Sequence, residues 1–233
     1  LQVDALEKGE IDGAWNSPLA HLDSKQRFDG NYKIGVMRDT DRDKHTYLVA
    51  KKGRFSNISD LKGKKIGFGA TDSPQARLIP IYYLSTCNLE YNKDYEEVRF
   101  DIGLGLHGDH VGGELDSMKA MINGEVDASF VLDANFDAWV NDGTVDKNEV
   151  EIIGKTEKFD HCIFTFNPNV SDSDIKEFDE IMKKMDYSKE SDKEIMDLEG
   201  LTQWLDGRED GFSQITKANE YLNDFIKEFN SEK

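Results

Sequence analysis

Two segments of this chain repeat each other 115 positions apart, and that echo constrains the fold more than any other feature. The first is Val3-Asp4-Ala5-Leu6-Glu7-Lys8-Gly9-Glu10-Ile11-Asp12-Gly13-Ala14-Trp15. The second is Met118-Lys119-Ala120-Met121-Ile122-Asn123-Gly124-Glu125-Val126-Asp127-Ala128-Ser129-Phe130. Both read as a helix, Gly-Glu, a β-branched residue, Asp, and a strand. The glycine stops the helix and the aspartate serves the turn into the strand. One copy in each half predicts an α/β chain of two similar lobes. Strand C-terminal ends then face a cleft between lobes, a natural place for a small solute.

The second informative stretch is Ile66 to Pro80. Lys64 to Gly69 reads as a short strand, Thr71-Asp72-Ser73 as turn and N-cap, and Pro74 as the first helical residue, where a missing N–H costs nothing. Leu78, Ile79, Tyr82, Tyr83 and Cys87 fall on one helical face. A strand that runs through small and hydroxylated residues into a helix can cradle an anion, because backbone N–H groups and the helix dipole point outward there. The same stretch also reads as an ordinary capped turn.

Composition excludes several functions. The 233 residues carry a formal charge of −18, which repels a phosphate backbone and an anionic membrane surface. With 37% hydrophobic residues the chain can bury a core. No apolar run approaches the ~18 residues of a membrane helix. There is no signal peptide and no initiator Met, so a mature or trimmed chain is expected. Cys87 and Cys162 have no zinc or CxxC spacing. Both read as buried thiols, with a disulfide left open.

Along the rest of the chain, helices are expected at Leu1–Lys8, Pro18–Gln26, Glu114–Met121, Ala134–Val140 and Asp174–Met185, and strands at Ile11–Trp15, Tyr32–Met37, Thr46–Ala50, Glu97–Ile102, Val126–Leu132, Val150–Gly154 and Cys162–Phe166. Ser56–Leu61 reads as a capped half-turn. A last helix carries Ile215, Ala218, Leu222, Phe225, Ile226 and Phe229 on one side. In the helix near 180, Ile175, Phe178, Ile181, Met182 and Met185 form the core stripe. Arg38 to His45 reads as a solvated hairpin tip, with Arg38 a candidate for an anionic ligand. Gly103-Leu104-Gly105-Leu106-His107-Gly108 is a literal GxGxxG. The loop runs on to Gly113, however, so no helix opens inside the motif and a dinucleotide site is not expected.

The segment Gly9-Glu10-Ile11-Asp12 with its strand and Asn16-Ser17-Pro18-Leu19-Ala20, then Asp60-Leu61-Lys62-Gly63-Lys64-Lys65-Ile66-Gly67-Phe68-Gly69, the helix with Pro80, and Gly124-Glu125-Val126-Asp127-Ala128, resembles the phosphate/phosphonate-type solute-binding proteins of ABC importers over roughly Leu1 to Phe166. The resemblance implies a type II periplasmic-binding-protein fold with a ligand cleft between two α/β lobes. Lobe one would be residues 1–52 plus 158–233 and lobe two residues 53–157. It also implies a strand–helix–strand unit ahead of Leu1 in a complete chain.

Two departures bear on the ligand. The family's Ser-Thr-Ser-Gly helix start falls on Ser73-Pro74-Gln75-Ala76, and its His-Asp pair falls on Glu114-Leu115. Only the first hydroxyl survives, and Pro74 removes one backbone donor.

The function expected is a solute-binding component that hands a small oxyanion (phosphate, phosphite or phosphonate-like) to ABC permease subunits. It would be a periplasmic or membrane-tethered monomer with no nucleic-acid partner, no cofactor and no resident metal. Asn16, Ser17 and Arg38 are its candidate contacts in lobe one. Thr71, Asp72, Ser73 and Gln75 form the cradle, and His107, Asp109, His110 and Asp133 form the opposite wall. The His-Gly-Asp-His loop also admits transition-metal binding, with Asp133 or His161, or a purely structural role. The alternatives are a metal-binding carrier of the same fold, or a hydrolase using Ser73 and His110. No nucleophile motif accompanies that pair, and the protein is not expected to be an enzyme.

Overall fold

A computed structural model describes residues 2–102, 111–223 and 225–226. By its contacts the chain divides into two units, Leu1–Asp43 with Phe159–Ser213 and Lys44–Lys158 with Gln214–Lys233.

The first unit holds α1 (Gln2–Glu7), β1 (Gly13–Asn16), α2 (Pro18–Arg27), β2 (Lys33–Ile34) and β3 (Val36–Arg38). After the chain returns from the second unit come β9 (Ile163–Phe166), α6 (Asp172–Lys183), α7 (Glu190–Glu199) and β10 (Trp204–Asp206). Strands β1 and β2 flank β9, all antiparallel, while β3 pairs with β10 in a separate two-stranded sheet. The expected single strand Tyr32–Met37 is therefore two. The chain changes sheets at Gly35, whose N–H still reaches Phe164 O at 3.0 Å. The core here is aromatic: Trp15, Phe164, Phe178 and Trp204 surround Val36, Met196 and Leu201.

The second unit is built on one five-stranded sheet in the order β6-β5-β7-β4-β8. Its strands are β4 (Thr46–Lys51), β5 (Lys65–Phe68), β6 (Glu96–Arg99), β7 (Ala128–Leu132) and β8 (Val150–Lys155). Strand β5 runs parallel to β6 and β7, and β4 runs antiparallel between β7 and β8. Helices α3 (Ile79–Thr86), α4 (Val111–Asn123), α5 (Asp133–Asn141) and α8 (Ser213–Tyr221) complete the order. One cluster gathers Leu48, Ile66, Phe68, Ile81, Leu84 and Phe130, and a second gathers Val49, Met118, Met121, Val131, Phe136 and Trp139. The sequence places the first crossing at 52/53. Because β4 lies inside this sheet, the contact division falls at Asp43/Lys44, and the segment from Gln214 packs with the second unit.

The two repeat copies lie in different units and end their helices identically. Gly9 (φ 70°) and Gly124 (φ 82°) both occupy the left-handed region. The next residue closes the same loop: Glu10 N donates to Ala5 O and Glu125 N to Ala120 O, each at 2.9 Å. That is the Schellman stop the glycines imply.

Four local expectations are corrected. Arg38 to His45 is no hairpin tip, since β3 and β4 do not pair; Asp39–Asp41 is a 3₁₀ turn, and its Asp41 is buried. The helix after Ser73 opens with a π turn, Pro74–Leu78, where Ile79 N donates to Pro74 O. The wider turn offsets the buried face, so Ile81 and Leu84 are fully buried while Tyr82, Tyr83 and Cys87 are partly exposed. Ile181 is 58% exposed, because it sits off the line of Ile175, Phe178 and Met182 on α6, which Met185 continues just past the helix end. Cys87 and Cys162 are both free thiols, and only Cys162 is buried.

Candidate functional site

The cradle in the second unit starts where β5 ends. Gly69 N donates to Ala76 O at 3.1 Å, folding the turn back on itself. A Cβ on Gly69 would lie 2.6 Å from Ala76 Cβ, so only glycine permits this approach. Ser73 N donates to Ala70 O, and Ser73 Oγ accepts from Ala76 N at 3.1 Å. This is the N-cap that Thr71-Asp72-Ser73-Pro74 predicts. Ser73, Asp72 and Gln75 are buried, and Thr71 is half-buried, its N–H on Asp101 Oδ1 at 2.9 Å.

Two buried side chains fix this turn from either side. Arg77 donates from Nε to Glu97 Oε1 at 2.5 Å and from Nη2 to Glu97 Oε2 at 3.2 Å, and its Nη1 reaches Thr71 O at 3.0 Å. Burial works against its charge, but the Glu97 carboxylate holds its pKa above the usual guanidinium value. On the other side Glu114, fully buried in the first turn of α4, accepts from Gln75 Nε2 at 3.2 Å. Its second oxygen accepts from Leu132 N at 2.8 Å and Asn135 Nδ2 at 3.0 Å. Glu114 thereby ties the cradle to the end of β7 and the start of α5. Thr46 closes the floor: its Oγ1 donates to Gln75 O at 2.7 Å and its N–H to Thr156 Oγ1 at 2.9 Å. Asp133 stands at the start of α5, where its Oδ2 accepts from His45 N at 3.1 Å.

In the first unit the expected contacts are engaged within the fold. Asn16 is fully buried, donating to Ser24 Oγ at 3.2 Å and accepting from Gln2 Nε2 at 2.6 Å. Ser17 caps α2 through Ala20 N. Arg38 grips Asp41 with Nε at 2.5 Å and Nη2 at 3.2 Å, and its guanidinium lies over the Trp15 ring, 5.1 Å from the centroid. The structure thus brings Thr71, Asp72, Ser73 and Gln75 together. It places Asn16, Ser17 and Arg38 in the other unit. His107, Asp109 and His110, with the GxGxxG stretch, lie outside the described residues.

Sequence reasoning missed the roles of Thr46, Asn135, Arg77 and Glu97. Arg77 follows the cap by four residues, on the inward side of the first turn, and a lone arginine inside an apolar stretch was the available signal. Glu114 was visible only as the residue standing where the resemblance has a histidine.

No helix among the described residues is long and apolar enough to cross a membrane. A family model described as "ABC transporter, phosphonate, periplasmic substrate-binding protein" matches residues 2–211. A solved structure of PhnD1 from Prochlorococcus marinus, in complex with methylphosphonate, superimposes with a TM-score of 0.70 at 17% identity, covering 96% of this chain and 82% of that one. A binding protein component of an ABC phosphonate transporter from Pseudomonas aeruginosa gives 0.63 at 15% identity, covering 97% and 72%. At such identities the likeness shows the fold, which is that of two-lobed periplasmic binding proteins. A curated Haemophilus influenzae protein, described as uncharacterized, is 28% identical over 123 residues, 53% of this chain and 93% of its own length. The match over most of its length makes this chain a member of the phosphonate-type family of periplasmic substrate-binding proteins of ABC transporters.

Proposed function

We propose that the protein captures a small oxyanion, with phosphonate, phosphite and phosphate as the first candidates, at the strand-to-helix turn Gly69–Leu78, and passes it to the permease of an ABC importer. The observation that carries this reading is the strand-to-helix turn as a whole, where the buried Ser73 cap opens a π turn tethered by Arg77 and Glu114, in a chain whose family model spans residues 2–211. Thr71, Asp72, Ser73 and Gln75 are the proposed contacts, with Asp133 and the His107, Asp109 and His110 loop as further members. The importer family works by stoichiometric binding, and we read this chain as a monomeric carrier without turnover.

The surroundings narrow the ligand. Arg77 is committed to Glu97, and Asp72, Asp101 and Glu114 are all carboxylates at or beside the turn. Among the described residues a bound oxyanion therefore depends on N–H and O–H donors more than on protein cations, which favours a singly charged or internally compensated anion over a dianion.

The test is titration calorimetry with methylphosphonate, phosphite, phosphate and sulfate, alongside thermal shift with divalent metals and a chromogenic phosphate and ester panel. Saturable one-to-one binding of an oxyanion without turnover is expected. Turnover that disappears in Ser73→Ala would move the reading to the hydrolase. Response to metals alone that survives Cys162→Ser would move it to a metal carrier.

A further inference from the structure

We infer that Asp41, His161 and Cys162 of the first unit form a binding site for a zinc-type divalent cation. One ligand atom from each of the three lies within 4.8 Å of the others. His161 Nδ1 is 3.0 Å from Cys162 Sγ and 3.6 Å from Asp41 Oδ1. The same ring nitrogen thus faces both the sulfur and the carboxylate. A nucleophile–base–orienter relay needs opposite nitrogens of the imidazole for its two partners. Here the three ligand atoms lie within 4.8 Å of one another, close enough to share one cation.

The donor set selects the metal. Thiolate, imidazole and carboxylate together suit zinc, whereas calcium and magnesium take oxygen alone. The groups around the donors fit the same role. Arg38 holds Asp41 from outside, with the closer bond on Oδ2 (2.5 Å) and the longer one on Oδ1 (3.2 Å), the oxygen facing His161. A metal-ligating carboxylate is normally fixed in this manner by an outer hydrogen bond. His161 N also donates to Asp41 O at 2.8 Å, which pins the two backbone segments together before any ion arrives. Asp41 and Cys162 are buried, and the His161 side chain keeps 11% exposure as an entry. Three protein ligands leave a fourth position for water. Binding displaces the Cys162 thiol proton, and any proton on His161 Nδ1, to solvent, so the sulfur ligates as thiolate and the ring as neutral imidazole. Asp41 lies two residues before the Asp43/Lys44 division and His161 two after Phe159, so the ion would join the two segments by which the chain leaves and re-enters this unit. The site owes nothing to the oxyanion reading, and each stands or falls alone.

The experiment titrates chelator-stripped protein with Co²⁺, read by absorption, then displaces it with Zn²⁺. One equivalent with a thiolate-to-cobalt charge-transfer band is expected. Cys162→Ser should abolish the band, Cys87→Ser should keep it, and His161→Ala or Asp41→Asn should weaken affinity by at least about 10- to 100-fold, the scale that loss of outer-shell partners alone can reach. Should Cys162→Ser fail to fold, the parent gives an independent reading: stoichiometric Zn²⁺ should slow alkylation of Cys162, located by peptide mass. No stoichiometric metal, a band that follows Cys87, or an unchanged alkylation rate of Cys162 would each overturn the site.

Discussion

The chain makes nearly the same turn twice. Asn16-Ser17-Pro18 in the first unit and Asp72-Ser73-Pro74 in the second both put serine at an N-cap and proline just inside the helix. Ser17 Oγ accepts from Ala20 N and Ser73 Oγ from Ala76 N, three residues on in each case. Ser-Pro capping is thus local helix chemistry and by itself says nothing of a ligand. The difference lies around the cap. The residue before Ser17 is a neutral amide held by Gln2 and Ser24, and α2 follows as a regular helix. The residue before Ser73 is a buried carboxylate, the next five residues form a π turn, and two buried side chains, Arg77 and Glu114, tether the segment. A π turn costs hydrogen-bond geometry and concentrates at functional positions, so the second turn is the one with a structural outlay that capping alone does not explain.

That comparison can be broken most severely at the arginines. Arg27 of the first unit meets three carboxylates, Asp4, Glu7 and Asp23, with its side chain 24% exposed, while Arg77 meets Glu97 alone at 5%. Arg77→Met should destabilise by up to about 3 kcal/mol, because it leaves the half-buried Glu97 carboxylate without its cation and Thr71 O without its donor. Arg27→Met should cost about 1 kcal/mol or less despite its three partners, since water screens them. Urea denaturation of both variants reads the difference, and equal losses would show that partner number outweighs burial.

Acid separates the units next. Burial pushes His21 of α2 down to about 4, against attraction from Glu209. Its ring stays neutral among Thr165, Tyr32 and Phe212, with Lys25 on the same helix. The unfolded chain protonates near 6.5 and the folded one only near 4. This contribution is therefore complete above 6.5 and lost between about 6.5 and 4, amounting to about 3 kcal/mol. His21→Gln should flatten that part of the stability–pH curve, measured by denaturant midpoints from pH 7 to 4. An unchanged slope would remove His21 as its cause.

The tether from α4 should have a smaller effect. Glu114→Ala leaves Leu132 N–H and the Gln75 amide short of a buried acceptor, costing about 1–3 kcal/mol. Glu114→Gln keeps one acceptor and should recover part of that in the same denaturation measurement. Full recovery would mean that the charge of Glu114 contributes nothing to the turn.

Much of this architecture is legible in the sequence, and the limits have physical causes. The two glycine stops were readable because only a left-handed residue closes a Schellman loop, and the Ser73 cap because its chemistry is local. Long-range choices were not. Nothing in Tyr32–Met37 says that Gly35 switches sheets, since that is decided by β9 and β10, more than 120 residues on. Helix α7 carries a stop of the same kind, Met196 and Leu201 around Gly200 at φ 68°. The Gln75–Glu114 and Arg77–Glu97 pairs span 39 and 20 residues, and no spacing rule joins them. The Asp41–His161–Cys162 cluster is more distant still, and its Asp41 lies in a loop that reads as solvent-exposed.

The most direct test of the central claim puts the two caps side by side. Ser17→Ala and Ser73→Ala should each lose about 1 kcal/mol of stability. Calorimetry with the oxyanion that the parent binds should show affinity kept in Ser17→Ala and lowered about 5- to 150-fold in Ser73→Ala, the range of one lost ligand hydrogen bond of about 1–3 kcal/mol. If Ser73→Ala binds as tightly as the parent, both turns are simple helix caps and the ligand is held elsewhere.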